Sequence, residues 1–258
     1  MRKDYHTHPQ LMRVPDRIDR YAARAQELNI GALCITDHMP LSISSAADRI
    51  PKGQVGEYIR RVNDARERFD GVVDIRCGIE LDYHPDFAGE IEDALAAGEF
   101  HHRLASSHMH LFYDPTREIS WSTFAGLALE NLCRATETNY FTAVAHLDMF
   151  RWAFTKPERF PMREDGYNWQ DFEDLYREIF RNMKDRGLLL EINPHFAEKT
   201  MDLGRCYPER PLLDLAKSYG ISFCYGSDAH GTDSVGAMLT ELEADPDYGP
   251  ALQTWERS

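Results

Sequence analysis

The sequence predicts an α/β fold built from parallel βα units, and three observations lead to this prediction. Seven short apolar or β-branched runs alternate with longer amphipathic runs along the 258 residues, as strands and helices do in parallel sheets. No Gly/Ser/Pro-rich linker or low-complexity tract divides the chain, so we expect one domain over residues 1–258. The content of 43% hydrophobic and 28% charged residues is typical of a globular protein.

The predicted strands are the short apolar runs Lys3–His6, Ala32–Thr36, Val72–Ile79, Leu104–Ser107, Phe141–Ala145, Leu188–Ile192 and Ile221–Tyr225. Apolar residues at helical spacing predict helices over Pro15–Leu28, Gln54–Phe69, Phe87–Ala97, Trp121–Ala135, Trp169–Arg186 and Pro211–Tyr219. Long loops, which often carry function, are expected at Asp114–Ser120 and Arg151–Asn168. The polar tail from about Glu243 is expected to be peripheral and loosely ordered.

The composition excludes some classes of partner. The formal net charge is -14, from 43 acidic and 29 basic residues, so neither nucleic acid nor an anionic membrane is expected as a partner. Five cysteines lack a CxxC pair, and three of them lie in predicted strands, which indicates buried free thiols and a reducing compartment. We see no apolar signal segment and no membrane-spanning run, and we expect a cytoplasmic protein.

Histidine and carboxylate residues collect at the ends of the predicted strands. In a parallel barrel these ends open onto one face, which holds the active site. Six of the eleven histidines fall there with one glutamate and one aspartate, and the candidate ligands are His6, His8, His38, Glu80, His108, His146, Asp228 and His230. Because residues two apart on a strand point the same way, His6 and His8 can bind one cation together.

These residue types indicate a catalytic metal site. Imidazole nitrogens and carboxylate oxygens suit Zn, Mn or Fe, and the absence of cysteine argues against a closed structural zinc site. A carboxylate such as Glu80 can bridge two metals, and such a pair activates water and stabilises the attacking and leaving oxygens. A lone HxH pair is weak evidence, so the prediction of a metal-dependent hydrolase rests on the joint pattern.

Other polar residues near the strand ends are given different roles. Asp148 and Glu191 are expected to orient ligands rather than to bind metal. For His110 and His195, which closely follow expected site residues, lining the pocket and lying at the surface are equally expected. The remaining histidines lie in polar surroundings and are expected at the surface: His84, His101 and His102.

Seven motifs occur in order along the chain: DYHTH at residues 4–8, TDH at 36–38, GIE at 78–80, SSH at 106–108, AHLD at 145–148, EIN at 191–193 and GSDAH at 226–230. The ordered set resembles the PHP family, named for polymerase and histidinol phosphatase. HTH or TDH alone is weak, but the full set is specific and spans nearly the whole chain. Within the family, the chain is most similar to the stand-alone histidinol-phosphate phosphatases of histidine biosynthesis.

The resemblance implies a distorted seven-stranded (β/α)7 barrel in a single domain, with up to three divalent metals. It implies two complete ligand sets that share a glutamate: His6, His8, Glu80 and Asp228 for the first metal, and Glu80, His108 and His146 for the second. It also implies a small phosphorylated substrate. The oligomeric state is not indicated.

The third implied site lacks one ligand in this sequence. It would use His38, His230 and a histidine several residues after the HxH pair, and that position falls at about Val14. Because valine cannot bind a metal, the site is weak, empty, or completed by Asp37, Asp16 or water. Arg13, which is adjacent to Val14, is a further candidate to replace the charge of a missing cation.

The expected reaction is hydrolysis of a phosphomonoester, with an arginine helping to neutralise the phosphoryl charge. Arg205, in the loop after the sixth strand, is the first candidate for this arginine. Lys199 and Arg151 are secondary candidates and are expected to be solvated surface cations. Either His230 or Asp228 can protonate the leaving group, and Asp228 is less suited if it binds the first metal.

Three alternatives remain open from the sequence. The first is a PHP phosphoesterase acting on nucleotides, cyclic phosphates or other small esters; Phe150, Trp152 and Phe154 could stack on a base or ring, although packing in the core or a loop is their expected role. The second is a deaminase or amide hydrolase of the amidohydrolase superfamily, although Glu80 on the third strand and the SDAH ending argue against it. The third is a non-catalytic metal-binding module, because the change at Val14 is an erosion of one ligand.

Overall fold

The computed structural model describes residues 1–40, 42, 48–108, 119–155 and 167–253. Its centre is a seven-stranded sheet whose strands lie side by side in chain order, with every neighbouring pair parallel. The strands are β1 (Arg2–Thr7), β2 (Ile30–Ile35), β3 (Asp74–Asp82), β4 (His102–Ser106), β5 (Ala143–Val144), β6 (Leu189–Ile192) and β7 (Phe223–Tyr225).

The first and last strands meet and turn the sheet into a barrel. Thr7 forms a parallel bridge with Ala229. The His8 N–H donates to the Ala229 carbonyl at 2.8 Å, and the Asp228 N–H donates to the His6 carbonyl at 2.7 Å. The barrel is distorted because the β1–β2 pairing has two register shifts and β5 has only 2 residues. The predicted fold class is therefore confirmed.

Helices cover the outside of the barrel. Those in the described part of the chain are α1 (Arg17–Glu27), α2 (Val55–Arg68), α3 (Ala88–Ala96), α4 (Trp121–Thr136), α5 (Glu173–Arg186), α6 (His195–Glu198), α7 (Arg210–Ser218), α8 (Leu239–Ala244) and α9 (Tyr248–Leu252). α1 buries Ile18, Tyr21, Ala22 and Ala25, which is the helical spacing that the sequence analysis used. Burial of such faces against the strands supplies most of the hydrophobic core.

The predicted elements agree with the observed ones to within a few residues at their ends. The sequence predicted Glu80 at the end of a strand. Because β3 runs to Asp82, Glu80 lies inside the strand instead. The predicted loop from Arg151 begins within a 3-10 helix over Met149–Thr155. Residues 156–166 of that loop, and all but the last two residues of Asp114–Ser120, lie outside the described residues.

The prediction of a loosely ordered tail from Glu243 is wrong for the part of the tail that the structure describes, up to residue 253. The tail forms α9, whose Tyr248 is fully buried and donates its hydroxyl to the Pro208 carbonyl at 3.0 Å. Arg210 on α7 forms an ion pair with Asp245 at 2.8 Å. The polar composition did not indicate this docking, because it depends on a few side chains: Tyr248, and Arg210 with its partners Asp245 and Asp247.

The structure also bears on the cysteines and on membrane-spanning segments. All five cysteines are free and buried, which confirms the prediction of buried thiols. Among the described residues, none of the helices has the length and apolar character needed to cross a membrane.

The barrel interior combines small apolar side chains with two glutamates. Leu104 on β4 pairs in register with Ala143 on β5, and both belong to a small apolar cluster separate from the main core. Glu80 is the register partner of Leu104, and Glu191 is the register partner of Cys224, another member of the cluster. Because register partners share a side of the sheet, both glutamates face the interior.

Asp4 holds the seam between the first and last strands. Its carboxylate is fully buried and accepts hydrogen bonds from the Ser227 N–H at 2.9 Å and the Gly236 N–H at 3.1 Å. Burial raises the pKa of Asp4 to about 6, against the opposing effect of these donors. The contact fixes the chain immediately before Asp228.

We predict that Asp4→Ala lowers the free energy of unfolding by about 1–3 kcal/mol, because two buried N–H groups lose their acceptor. Urea denaturation measures the change. Asp64→Ala is the matched control: Asp64 is exposed on α2 and pairs with Arg60, and its replacement changes stability by less than about 0.5 kcal/mol. Equal losses in the two variants would contradict the role given to Asp4.

Candidate metal centre

The eight candidate ligands meet at the mouth formed by the carboxyl ends of the strands. His6 and His8 lie at the end of β1, Glu80 lies on β3, and the others follow β2, β4, β5 and β7: His38, His108, His146, Asp228 and His230. Six of the eight are buried, and the exceptions are His108 and His230, whose side chains are 12% and 37% exposed. The mouth is therefore polar but largely shielded from solvent.

The Glu80 carboxylate lies at the centre of this cluster. One oxygen, Oε2, is 3.4 Å from the Nε2 atoms of both His6 and His8 and 2.7 Å from Nδ1 of His38. The other oxygen faces a different pair of rings and lies 3.0 Å from Nε2 of His146 and 3.8 Å from Nε2 of His108. This division of partners is the arrangement that a carboxylate bridging two cations requires.

Asp228 completes the group on the Oε2 side. The His6 and His8 Nε2 atoms are 2.9 Å apart, and Asp228 Oδ1 is 3.2 Å from His8 Nε2 and 3.7 Å from His6 Nε2. Ligand atoms of His6, His8 and Asp228 all lie within 4.8 Å of one another, so one cation can contact them together.

The side chains present fit a bound cation. Glu80 Oε2 and His38 Nδ1 are buried and approach each other without hydrogen-bond geometry, and neither atom has a hydrogen-bond partner among the described residues. Buried polar atoms without partners are costly, and a divalent cation supplies the missing contacts. The donor set of imidazole nitrogen and carboxylate oxygen suits zinc, manganese or iron.

The electrostatics favour the metal-binding protonation state of Glu80 and His8, whereas at His6 the effect of burial is outweighed by Glu191, Asp228 and Glu80, which raise the pKa well above its usual value. Burial alone would raise the pKa of Glu80, but the nearby charges of His38 and His108 outweigh it and hold the pKa well below its usual range. Burial, reinforced by neighbouring His38 and His230, holds the pKa of His8 well below its usual value. Ionised carboxylates and neutral imidazoles are the forms that coordinate cations.

Two of the candidate ligands have a strained backbone. Asp228 has a φ of 56° and His146 a φ of 24°, in a region that residues other than glycine rarely adopt. The strain is held by hydrogen bonds: the Asp228 N–H donates to the His6 carbonyl, and the His146 N–H donates to Glu191 Oε2 at 2.8 Å. Such strain is often found where a side chain must be aimed into a functional site.

Glu191 contacts His6, a candidate ligand of the first set, on the side of the ring away from Glu80. Its Oε1 accepts a hydrogen bond from His6 Nδ1 at 2.6 Å, which turns the His6 Nε2 atom towards Glu80. Asn193 Nδ2 donates to the other oxygen at 3.1 Å. A Cβ atom at Gly226 would lie 2.0 Å from Glu191 Oε1, so glycine in the GSDAH motif permits this approach. The contacts are those expected of a residue that orients ligands.

Asp82 and Arg49 orient His108, and the sequence analysis missed both. His108 Nδ1 donates to Asp82 Oδ1 at 2.5 Å, and Arg49 Nη2 donates to Asp82 Oδ2 at 2.6 Å. Burial would lower the pKa of His108, but Asp82 and then Glu80 outweigh it and raise the pKa to about 9. Asp82 lies two residues after Glu80 on one strand, a spacing that could have revealed it. No sequence signal indicated Arg49.

Asp148 has a different role from the one expected. It forms an ion pair with Arg151 Nε at 2.7 Å and accepts the Glu209 N–H at 3.1 Å. Arg151 in turn donates to the Cys206 carbonyl at 2.8 Å and covers the ring of Tyr207. The expectation that Arg151 is a solvated surface cation is therefore wrong, because Asp148 holds it in the interior, where its side chain is 15% exposed.

Among the basic candidates, Arg205 lies on the correct face of the barrel. Its side chain is 44% exposed, lies 3.5 Å from Asp202 and covers the ring of Phe196. Phe196 stacks on Tyr207, whose ring contacts His146. Lys199 is exposed, as expected.

The structure does not place a metal ligand at the position of Val14, which is half-buried on the loop before α1. Asp37 uses its two oxygens to accept the Gln10 and Leu11 N–H groups at 2.9 and 2.7 Å. Asp16 is 77% exposed and pairs with Arg20. Arg13 is exposed. Arg17, which was not among the predicted residues, lines one groove together with His230.

The remaining five histidines lie in different surroundings. His102 is buried on β4, where burial lowers its pKa to about 3, so the expectation of a surface position is wrong. His101 is exposed as expected, and His84 is half-buried. His110 lies outside the described residues. His195 reaches the mouth, and its ring centroid is 5.6 Å from that of His230.

Comparison with known proteins gives three related findings. The model of the PHP domain family matches residues 4–195. A Deinococcus radiodurans protein named as a probable histidinol-phosphatase is 28% identical over 232 residues, which cover 86% of this chain and 83% of that protein. A histidinol-phosphatase of Bacillus subtilis is 24% identical over 243 residues, which cover 86% of this chain and 90% of that protein.

Solved structures share the fold. The histidinol phosphate phosphatase of Lactococcus lactis, in complex with zinc, L-histidinol and phosphate, superposes with a TM-score of 0.73 at 18% identity, covering 94% of this chain and 93% of that one. A Listeria monocytogenes structure superposes with a TM-score of 0.75 at 19% identity, covering 93% and 99% of the two chains.

We predict that Asp82→Asn weakens the binding of one of the cations by about 10–100-fold, because His108 loses the charged group that orients its ring. Competition with a chromophoric zinc chelator measures the affinity. Asp86→Asn is the control, since the Asp86 side chain is 82% exposed in the next turn. Unchanged zinc affinity in the Asp82 variant would contradict the proposal that Asp82 orients His108 for metal binding.

Proposed function

The chain belongs to the PHP domain family, and we propose that it is a metal-dependent phosphomonoesterase that hydrolyses histidinol phosphate. The observation that carries the proposal is the Glu80 carboxylate, whose two oxygens face two separate sets of histidines. Two curated relatives that are matched over 86% of this chain are both named as histidinol-phosphatases, which supports the same substrate. The reaction belongs to histidine biosynthesis.

We assign two cations to the mouth of the barrel. The first would be held by His6, His8, Glu80 and Asp228, and the second by Glu80, His108 and His146. The donor types support zinc, manganese or iron, and the zinc bound in the Lactococcus lactis histidinol phosphate phosphatase supports zinc among these.

The main contribution of the chain's own residues is to position the metal ligands. When bound, a pair of divalent cations activates water and neutralises the phosphoryl oxygens. Glu80 fixes the spacing of the two ligand sets, and Glu191 and Asp82 fix the orientation of His6 and His108. Burial of the ligands excludes bulk water, which strengthens every charge interaction with the phosphate.

The leaving alkoxide requires a proton, and His230 is the better placed of the two predicted donors. Its Nδ1–H donates to the Asp228 carbonyl at 2.9 Å, which leaves Nε2 as the atom that can face substrate. The side chain is 37% exposed, so it can exchange protons with solvent. Asp228 is less suited, because its Oδ1 faces the Nε2 atoms of His6 and His8.

Arg205 is proposed to bind the phosphate. Its guanidinium is only loosely held by Asp202 at 3.5 Å and is supported from one side by the Phe196 ring. A planar guanidinium can donate two parallel hydrogen bonds to phosphoryl oxygens. The exposed position leaves those donors available.

The alternative functions have less support. Phe150 is buried and packs against Tyr167, which does not favour stacking on a nucleotide base; the side chain of Phe154 lies outside the described residues. The sheet has seven strands rather than the eight of amidohydrolases. A non-catalytic module does not need a shielded mouth with six buried ligands. We also propose a cytoplasmic location, which the five free buried thiols support.

We predict that the purified chain releases phosphate from histidinol phosphate and that a chelator abolishes the activity until zinc or manganese is restored. Glu80→Gln lowers phosphate release by more than about 100-fold, since the cation pair contributes several kcal/mol to transition-state stabilisation. Glu178→Gln, at an exposed position on α5, keeps full activity. Phosphate release that survives chelation, or release of ammonia from amide or amine substrates instead, would contradict the proposal.

We predict that Arg205→Ala raises KM for histidinol phosphate by about 10-fold, which corresponds to one lost charge-assisted hydrogen bond of about 1.4 kcal/mol. Arg181→Ala, at an exposed position on α5, leaves KM unchanged. Steady-state phosphate release at varied substrate concentration separates KM from kcat. If KM stays the same in the Arg205 variant, another cation binds the phosphate.

A further inference from the structure

We infer that His195, His230 and Asp228 form a third cation site, in which His195 replaces the ligand that is absent at Val14. The inference goes beyond the two-cation proposal and rests on it only in assuming that the neighbouring cluster binds metal. The site would lie between the ends of β6 and β7. It differs from the site implied by resemblance, which uses His38 and a histidine near Val14.

The three side chains are close enough to share one ion. A ligand atom from each of His195, Asp228 and His230 lies within 4.8 Å of the other two. Two imidazoles and one carboxylate form a common donor set for zinc, manganese and iron. Additional coordination positions are open to water or a substrate oxygen, because the His230 side chain is 37% exposed.

His195 carries an independent sign of a missing partner. Its Nδ1 atom is buried, and no hydrogen-bond partner for this atom is found among the described residues. Buried ring nitrogens are normally satisfied, because leaving one unpaired costs free energy. A cation bound at this corner supplies such a partner.

The local structure holds His195 at the mouth. Asn193, at the end of β6, accepts the His195 N–H with Oδ1 at 2.9 Å and donates from Nδ2 to Asp228 Oδ2 at 3.3 Å. One side chain therefore ties together the backbone of one proposed ligand and the carboxylate of another. Asp228 Oδ1 faces His8, so the two oxygens of Asp228 point towards different partners.

His38 faces the central cluster, and it also lies in a second potential metal group with His8 and His230. Its Nδ1 lies 2.7 Å from Glu80 Oε2, within the central cluster. The other residues that the sequence analysis considered for the gap are also committed: Asp37 to two backbone N–H groups and Asp16 to Arg20. Among the described residues, His8, His38 and His195 each have a buried Nδ1 atom without a hydrogen-bond partner and each lie in a potential metal group with His230, and the group of His195 also contains Asp228.

The assignment has a consequence for catalysis. A His230 ring that binds a cation through its second nitrogen is not available to protonate the leaving group. The third cation would then neutralise phosphoryl charge beside Asp228. The number of bound cations therefore also decides whether His230 is a metal ligand or the proton donor to the leaving group.

The test is the number of zinc ions per chain. The purified chain is stripped with a chelator, reloaded with Zn²⁺, freed of excess metal by dialysis and measured by elemental analysis. We expect three zinc ions per chain in the wild type and two in His195→Gln. We expect three in His101→Gln, which replaces an exposed histidine at the opposite end of β4. His195→Asp, which keeps a ligand, is expected to regain the third ion.

Two outcomes overturn the inference. A wild-type count of two shows that the third site does not exist, even if the glutamine variant proves unstable. A count of three in His195→Gln shows that His195 is not a ligand. These outcomes are distinct from failure of the proposed function, because a chain with two zinc ions that releases phosphate keeps that function, whereas a chain that binds no zinc loses both.

Discussion

The rest of the site depends on one buried carboxylate. Glu80 is fully buried, and the nitrogens of five histidine rings approach its two oxygens within 3.8 Å. A buried charge is tolerated only when it is paired, and imidazoles in the neutral form that binds metal provide no net positive charge. Cations bound between the carboxylate and the rings would resolve this conflict, and they would also explain why the two oxygens face separate sets of rings.

A second layer of buried groups keeps the central cluster in place. Glu191 holds His6 and the backbone of His146, and Asp82 holds His108. These bonds turn the opposite ring nitrogens towards Glu80 and remove freedom that a bound cation would otherwise have to restrict. The same layer reaches the barrel seam, where hydrogen bonds between β1 and the segment after β7 set the position of Asp228 relative to the histidine pair.

Much of the fold and the positions of the candidate ligands could be predicted from sequence, because both follow short-range rules. Strand periodicity and the shared carboxyl end of parallel strands place His6 and Glu80 at one mouth. Contacts between residues that are distant in the chain leave no local pattern in the sequence. The ion pair that draws Arg151 into the interior, the burial of His102 and the docking of Tyr248 all depend on residues distant in the chain. The resemblance located the gap at Val14, whereas only the three-dimensional arrangement brings His195 beside His230.

The most direct test of the central claim is anomalous X-ray diffraction at the zinc edge from crystals of the zinc-loaded chain. We predict two strong anomalous peaks on either side of the Glu80 carboxylate, separated by about 3.5–4 Å, the spacing of two-metal hydrolase sites. One peak would contact the histidine pair of β1, and the other would contact His108 and His146. A single peak, or peaks that do not touch Glu80, would contradict the bridging role from which the proposed function follows.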